Sequence, residues 1–388
     1  MYRPGNADDL RYVINDAACA GEKLRIRGGG TKDLVGRPLG REKVLDMRGF
    51  SGINSYEPAE LVLTAGAGTP LHVIASALEA EQQVLGFDPF DHASLFGVEG
   101  TATIGGVLAA NASGSRRLAR GAARDHLLGF TAVSGRGELF VAGGRVVKNV
   151  TGYDLPKLMA GSWGRLAALV EVTLKTMPRP QVSTTVRVTG LGVNQSANLM
   201  AHALGTSTEI AAARHFPAPL AWHCTGAEHS VTDFLIEGFR ESVEARCDHL
   251  VRFISDNVGE RPVDMIGAET CDWSAIGPNV ALPFDQPLWR VSILPSRASA
   301  CLEALETLGA SYWMDWAGGL LWVSVGDKSV RVREIATAFG GHAMLLRAPD
   351  EVRERVAAFE TSSAPLAALE GRVRRGFDPS GIFETGRF

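Results

Sequence analysis

Glycine decides what this chain can fold into between Leu85 and Lys175. At the centre lies Gly100-Thr-Ala-Thr-Ile-Gly-Gly-Val-Leu-Ala-Ala-Asn-Ala-Ser-Gly114, where glycines and small hydroxyl or amide side chains alternate with a few apolar anchors. Glycine lets a backbone approach a ligand closely and take positive φ. Successive N–H groups can then be aimed at an anion without a charged side chain. The stretch has too little bulk for a deep core. Two readings fit it: a surface that wraps a phosphate-bearing cofactor, or a Gly/Ala-rich packing segment between strands.

A second loop favours the first reading. Lys23-Leu-Arg-Ile-Arg27 reads as a short strand and runs into Gly28-Gly29-Gly30-Thr31-Lys32, a plausible phosphate cradle. It is not G-x-G-x-x-G opening a helix, and no G-K-[ST] follows at P-loop spacing. Backbone N–H groups of residues 27–32 and 103–114 could satisfy a diphosphate together with the Thr31, Thr103 and Ser113 hydroxyls. Asn111 offers both a donor and an acceptor.

Arg27-Gly28-Gly29-Gly30-Thr31, Pro89, Ile104-Gly105-Gly106, Asn111-Ala112-Ser113-Gly114, Arg120-Gly121, Asp125, Gly152-Tyr153-Asp154-Leu155, Gly161-Ser162 and Gly164 follow one another in that order. The ordered set resembles the FAD-binding domain of the vanillyl-alcohol oxidase or PCMH type, and within it the FAD-binding E subunit of bacterial glycolate oxidase. The resemblance covers nearly the whole chain. It implies an α+β architecture: a two-lobed PCMH-type FAD-binding domain over 1–180, an α+β (ferredoxin-like) cap over 181–362, and a tail over 363–388 returning to the FAD domain. By the same resemblance, Arg27 to Lys32, Pro89, Thr103 to Gly106, Asn111, Ser113, Gly114, Arg120, Gly121, Asp125 and Gly164 would bind FAD. Val170 and Val172 would offer main-chain groups to the adenine. Some relatives attach flavin to a histidine in the first loop; Thr31 stands there, so non-covalent FAD is expected. Where the family usually has Asn-Pro-Gly-Arg, this chain has Glu384-Thr-Gly-Arg387, which puts a tail contact to the flavin in doubt.

Length and composition agree. At 388 residues two domains are expected, and 45% hydrophobic with 21% charged residues suits a soluble globular chain. A net charge of −4 leaves no polyanion footprint, so nucleic acid is excluded as an expected partner. No apolar run approaches the roughly 18 residues of a spanning helix, and the N-terminus lacks a signal peptide's apolar segment. A cytoplasmic protein is expected, membrane-associated only through partners. The cysteines, 19, 224, 247, 271 and 301, form no C-x-x-C, and the histidines show no metal spacing, so no metal site is expected and buried free thiols are the simplest reading.

Periodicity predicts a helix over 7–20, and another opening at Pro70 with Thr69 as its N-cap. Gly66-Ala-Gly68 reads as a turn without a cofactor role. Arg116, Arg120 and Arg124 would stack on a helix, but Gly121 interrupts it. Solvated faces suit Arg116, Arg117 and Arg124; Arg120 alone matches the family motif. A hairpin is expected over 130–142 and a strand from 166 to 177, with Pro178 and Pro180 closing the domain. Beyond it, strands at 185–189, 234–239, 288–294 and 320–325 alternate with helices at 194–204, 240–254, 297–308 and 328–339. That is one sheet with helices on a face.

Oxidising a 2-hydroxy acid needs a base for the hydroxyl proton and a cation for the carboxylate. The catalytic relatives use a His-x-His motif and a His-Glu-Gly-Asp-Gly-type segment; neither occurs here. The remaining catalytic candidates are Arg290, for the carboxylate, and Asp315, as base. Their structural alternatives are a strand arginine paired within its own domain and an acid capping a turn. Lys148 and Tyr153 are candidates near the isoalloxazine, and His342 reads as a strand-entry residue. The expected function is an FAD-binding subunit of a glycolate (2-hydroxy-acid) oxidase or dehydrogenase complex, partnered by a catalytic flavoprotein subunit and an iron–sulfur subunit. The alternatives are a self-sufficient FAD-dependent oxidase or dehydrogenase of another small alcohol or acid, and an assembly scaffold that binds FAD only structurally.

Overall fold

Hydrophobic side chains gather into separate cores because the chain folds as two units. A computed structural model describes residues 1–89, 91–145, 152–271, 273, 282–326 and 330–388. The first unit comprises 1–114, 121–179 and 361–388; the second comprises 115–120 and 180–360. The short segment Ser115–Arg120 thus clusters with the second unit, although both its neighbours belong to the first.

In the first unit, β1 (Leu24–Arg27) and β2 (Lys43–Asp46) form a parallel pair, with Arg27 opposite Asp46. β3 (Ile53–Glu57), β4 (Val62–Gly66), β6 (Leu127–Ser134), β7 (Leu139–Gly143) and β8 (Ala167–Lys175) build an antiparallel sheet in the order β3-β4-β8-β6-β7. β5 (Gln83–Val84) and β9 (Met177–Pro178) form a separate antiparallel pair. The helix Ala7–Ala20 forms as its periodicity requires: Asn6 caps it, Leu10, Ile14 and Ala17 are buried, and Gly21 ends it at φ 66°. Its buried face packs with Leu24, Leu45, Ile382 and Phe383, so the last residues complete the core begun by the first.

The second helix runs Leu71–Ala80 with Pro70, not Thr69, at its N-cap. The Thr69 hydroxyl donates instead to the Gly66 carbonyl at 2.6 Å, tightening the turn at the end of β4. Arg117–Arg120 and Ala123–His126 are two short helical pieces broken at Gly121, whose φ is 87°.

In the second unit, β10 (Val182–Thr189), β11 (Ala212–Phe216), β12 (Val231–Gly238), β13 (Val263–Gly267), β14 (Leu288–Ser292), β15 (Ser311–Asp315), β16 (Leu320–Ser324) and β17 (His342–Arg347) form one antiparallel sheet. Its order is β13-β10-β12-β11-β15-β16-β14-β17. Helices Val193–Leu204, Arg240–Val258, Ala298–Glu306 and Arg331–Ala338 contribute Met200, Leu250, Leu302 and Val332 to a core shared with Trp289, Val291, Met314 and Val323 of the strands. The sequence pattern shows the expected strand–helix alternation but passes over β11, β13 and β15, while His342, read as a strand-entry residue, opens β17. β11, Ala-Ala-Arg-His-Phe, is buried at every residue and so does not alternate. Cys247, Cys271 and Cys301 are buried thiols, whereas Cys19 is exposed.

Candidate functional site

The loop after β1 is held open by its own charges. Asp33 accepts from Arg25 Nη1 at 2.6 Å and from Arg27 Nε at 2.8 Å, folding 28–32 back over the strand end. The second glycine stretch crosses this loop backbone to backbone. A Cβ on Gly29 would lie 1.7 Å from the Thr101 carbonyl oxygen, and one on Gly28 would lie 2.2 Å from Thr103 Oγ1. Only glycine fits such approaches. Gly105 N–H donates to the Ala67 carbonyl at 2.8 Å, tying the second stretch to the end of β4.

Between these two loops opens a cavity. Arg27, Gly28, Gly29, Gly30, Thr31, Lys32, Thr103, Gly105, Gly106 and Gly164 line it. The N–H groups of Gly28 through Lys32 donate to no acceptor among the described residues. Five consecutive donors around a cavity form an anion cradle. Lys32 adds a charge: burial pulls its pKa down to about 8, against the opposing pull of the Asp91 carboxylate. A phosphate would restore the ammonium form. A row of unused donors, a half-buried lysine and glycines that admit no Cβ are the features a diphosphate needs.

Several further lining residues escape sequence reasoning. Ala67, within the Gly66–Gly68 stretch read as a turn without a cofactor role, lines the cavity. Met47, Ser162, Trp163, Ala167, Leu169, Arg387 and Phe388 also line it. Trp163 stands at φ 54° between Gly161 and Gly164, and its ring lies 5.3 Å from that of Phe388. Backbone strain at a large residue is a mark of functional sites. The tail reaches the cavity despite its altered motif: Arg387 Nη2 donates to the Lys32 carbonyl at 2.5 Å, and Arg37 N–H donates to the Arg387 carbonyl at 2.9 Å. Glu384, the departure from the family pattern, pairs with Arg165 at 3.1 Å and Arg374 at 3.2 Å. Burial pushes its carboxyl up, but the two guanidinium groups hold it below its ordinary value.

Other expected cofactor residues do not line the cavity. Ser113 Oγ accepts from Ala123 N–H and Asn111 Oδ1 accepts from Arg124 N–H, both bracing the segment that follows. Asp125 caps the Ala123–His126 piece by accepting from Ala122 N–H. Gly114 N–H donates to the Asp88 carbonyl, and Gly121 supplies the positive-φ break. Ile104 and Val172 are buried in the core, Pro89 is half-buried, and the Val170 carbonyl accepts from Ala67 N–H. Arg120 sits 3.7 Å from Glu237, and Arg116, expected to be solvated, pairs with the same buried carboxylate at 2.9 Å. Lys148 lies outside the described residues, and Tyr153 is 93% exposed. His342 opens β17 and is exposed.

The second unit holds both catalytic candidates. Arg290 lies on β14, half-buried, its guanidinium 4.9 Å from the Trp316 ring centre. Asp315 ends β15. One of its oxygens accepts from Trp316 N–H at 2.8 Å and the other from Ser115 Oγ at 2.9 Å. That is the geometry of the turn-capping alternative, with both carboxylate oxygens engaged. Among the described residues, no three His, Cys, Asp or Glu side chains group as a metal site.

Comparison with known proteins agrees with this geometry. A family profile described as an FAD binding domain matches residues 1–143. Over 380 residues the chain is 33% identical to glycolate oxidase subunit GlcE of Escherichia coli, covering 97% of this chain and 96% of that one. It is 29% identical over 220 residues to glycolate oxidase subunit GlcD of Bacillus subtilis, covering 56% of this chain and 43% of that protein. Among solved structures, p-cresol methylhydroxylase with substrate bound superposes with a TM-score of 0.70 at 14% identity, over 99% of this chain and 87% of that one. At that identity the likeness shows the fold alone.

Proposed function

Because this chain belongs to the PCMH-type FAD-binding flavoproteins, in the family of glycolate oxidase subunit GlcE, we propose that it is the FAD-binding subunit of a 2-hydroxy-acid-oxidising complex. A catalytic flavoprotein subunit and an iron–sulfur subunit would work beside it. The observation that carries the reading is the meeting of two glycine segments, some 70 residues apart in sequence, around one cavity whose backbone donors are unused.

The bound flavin supplies the hydride acceptor. The chain's own residues do the rest. Amides of Gly28 to Lys32 hold the diphosphate, the Lys32 ammonium balances its charge, and Trp163 with Phe388 covers an apolar wall. Arg290 orients the acid's carboxylate. Asp315, held by two donors, acts as a nearby counter-charge and takes no proton. Among the described residues that line the cavity there is no His, Cys or Tyr to which flavin could be joined, and non-covalent FAD is part of the proposal. Yellow colour that remains with the protein pellet after denaturation would sink that part of the reading.

The partnership rests on likeness to proteins named as glycolate oxidase subunits and on the absence of the His-x-His motif from the sequence. No helix among the described residues is long and apolar enough to cross a membrane. A cytoplasmic location, with membrane association only through partners, is part of the proposal. A second reading, a self-sufficient dehydrogenase, draws support from Arg290, which makes no ion pair among the described residues. One assay separates them. The FAD-loaded chain is mixed with glycolate or lactate and a dye acceptor, with and without the partner subunits. Bleaching only with partners supports the complex; bleaching by the chain alone supports self-sufficiency. Flavin that is never reduced in either mixture would overturn both.

A further inference from the structure

One face of the second unit's sheet is fully used. Trp289 and Val291 of β14, Tyr312 and Met314 of β15, and Leu321 and Val323 of β16 pack into the core shared with the helices. Side chains alternate along a strand, so the residues between them face the other way. There, register sets Arg290 directly opposite Trp322, and Trp322 directly opposite Trp313. Directly opposed residues share a face, with Cβ atoms about 5 Å apart. Arg290, Trp322 and Trp313 therefore form one row across three neighbouring strands. The two indole rings stack at 6.0 Å, and Phe216 closes the end 5.1 Å from Trp313.

This row lacks an acceptor. Trp313 is 2% exposed and Trp322 is 4% exposed, and neither buried Nε1–H has a hydrogen-bond partner among the described residues. Leaving such a donor unsatisfied is costly, and native proteins rarely do so. Arg290 makes no hydrogen bond or ion pair among the described residues; its contact is the Trp316 ring, which also carries the Arg117 guanidinium at 4.4 Å. Asp315 is the nearby acid, with its oxygens engaged by Ser115 and Trp316. Burial first, and Arg117 next, push the Arg290 pKa down to about 10, against the pull of Asp315. The half-buried Arg290 guanidinium makes no hydrogen bond of its own, and the oxygens of the nearby Asp315 are engaged by other donors, so its fork is available to an anion. Three donors on one face, all lacking an acceptor, have a common solution in a small anion.

We propose that Arg290 and the indole N–H groups of Trp322 and Trp313 form a carboxylate-binding site for a small oxygen-bearing acid. The planar guanidinium fork matches the two carboxylate oxygens. The indoles, donors only, suit a carboxylate or an adjacent oxygen and give nothing to a cation or an alkyl group. The aromatic row limits the acid to a short one. The identity of that acid as a 2-hydroxy acid rests on the function proposed above; the site itself rests on the second unit's own residues.

Oxalate, which has no C–H to lose, is the probe. The FAD-loaded protein is titrated with oxalate by calorimetry, with ethylene glycol as the uncharged control. Saturable oxalate binding is expected, with none for ethylene glycol. Arg290→Met should weaken oxalate about 30-fold, as for a lost bidentate charged pair, and Arg290→Lys should recover part of it. Trp322→Phe and Trp313→Phe remove the N–H and also shrink the ring, which lowers the melting temperature of these buried positions; measured where each variant is still folded and FAD-loaded, each should weaken oxalate about 5-fold. The proposal falls if the parent shows no saturable binding up to the solubility of oxalate. It also falls if Arg290→Met binds as tightly as the parent, or if both Phe variants do. Oxalate binding at Arg290 without flavin bleaching by any 2-hydroxy acid, with the partner subunits present or absent, would keep this site and remove the functional reading. Bleaching with an unchanged KM in Arg290→Met would do the reverse.

Discussion

Lys32 sits where two requirements conflict. Burial against the cavity disfavours its charge, bringing its pKa to about 8, yet the diphosphate it would face needs that charge. If phosphate raises the bound-state value, FAD binding takes up a proton wherever the free protein has lost one. Affinity should then be level below pH 8 and fall by up to about tenfold per unit above it. Flavin-fluorescence titrations from pH 6.5 to 9.5 would check this, and Lys32→Gln should give weaker but pH-independent binding. A flat profile in the parent would rule out the coupling. The glycines make a firmer case. Gly105→Ala would place a methyl 2.7 Å from the Ala67 carbonyl oxygen, a backbone atom that cannot step aside. The variant should lose bound FAD, read from the ratio of flavin to protein absorbance. Such positions were legible in the sequence because close backbone approach leaves glycine as the only choice. Asn111, Ser113 and Asp125 were legible as motif members but not as to role. A short polar side chain can serve its own backbone as well as a ligand, and here all three do the former.

At the scale of elements, β11 and β12 carry the most exposed risk. Arg214 is fully buried and meets Asp233 at 3.3 Å, and Arg187 meets the same carboxylate at 2.7 Å. Asp233→Asn would strand a buried guanidinium and should cost about 3–5 kcal/mol in denaturant unfolding of the second unit. Its neighbour His215 is buried with its pKa lowered to about 4 by desolvation, Asp233 opposing. Unfolded, it takes a proton near 6.5; folded, only near 4. The unfolded chain binds more protons within that window, so stability falls as pH drops from 6.5 towards 4, by about 3 kcal/mol in all. Melting curves across that range should show the loss, and His215→Gln should lessen it. Of the two, β11 escaped the sequence pattern, because a segment buried on both faces carries no alternation and its arginine and histidine read as surface. Trp163 and Phe388 escaped for another reason: 225 positions separate them in sequence, and only the fold brings their rings to 5.3 Å.

Across the whole molecule, the order of residues and the order of packing differ. Thr361–Phe388 belongs to the first unit: Val373 and Phe377 pack against its sheet core, Ile382 and Phe383 against its first helix. Ending the chain after Glu360 should therefore destabilise the first unit and abolish FAD binding while leaving the second unit's melting transition in place; calorimetry with flavin analysis would show both. Loss of the second transition alone would refute that assignment. The family resemblance made the two-part architecture legible, but not the membership of Ser115–Arg120, because a six-residue stretch carries no periodicity to betray which core it joins. The chain passes from one unit to the other at 114/115, 120/121, 179/180 and 360/361. No single cut yields either unit as an uninterrupted peptide. Genetic exchange between relatives at any one of those junctions would leave a mosaic in at least one core, so the two halves are bound to be inherited, and engineered, together.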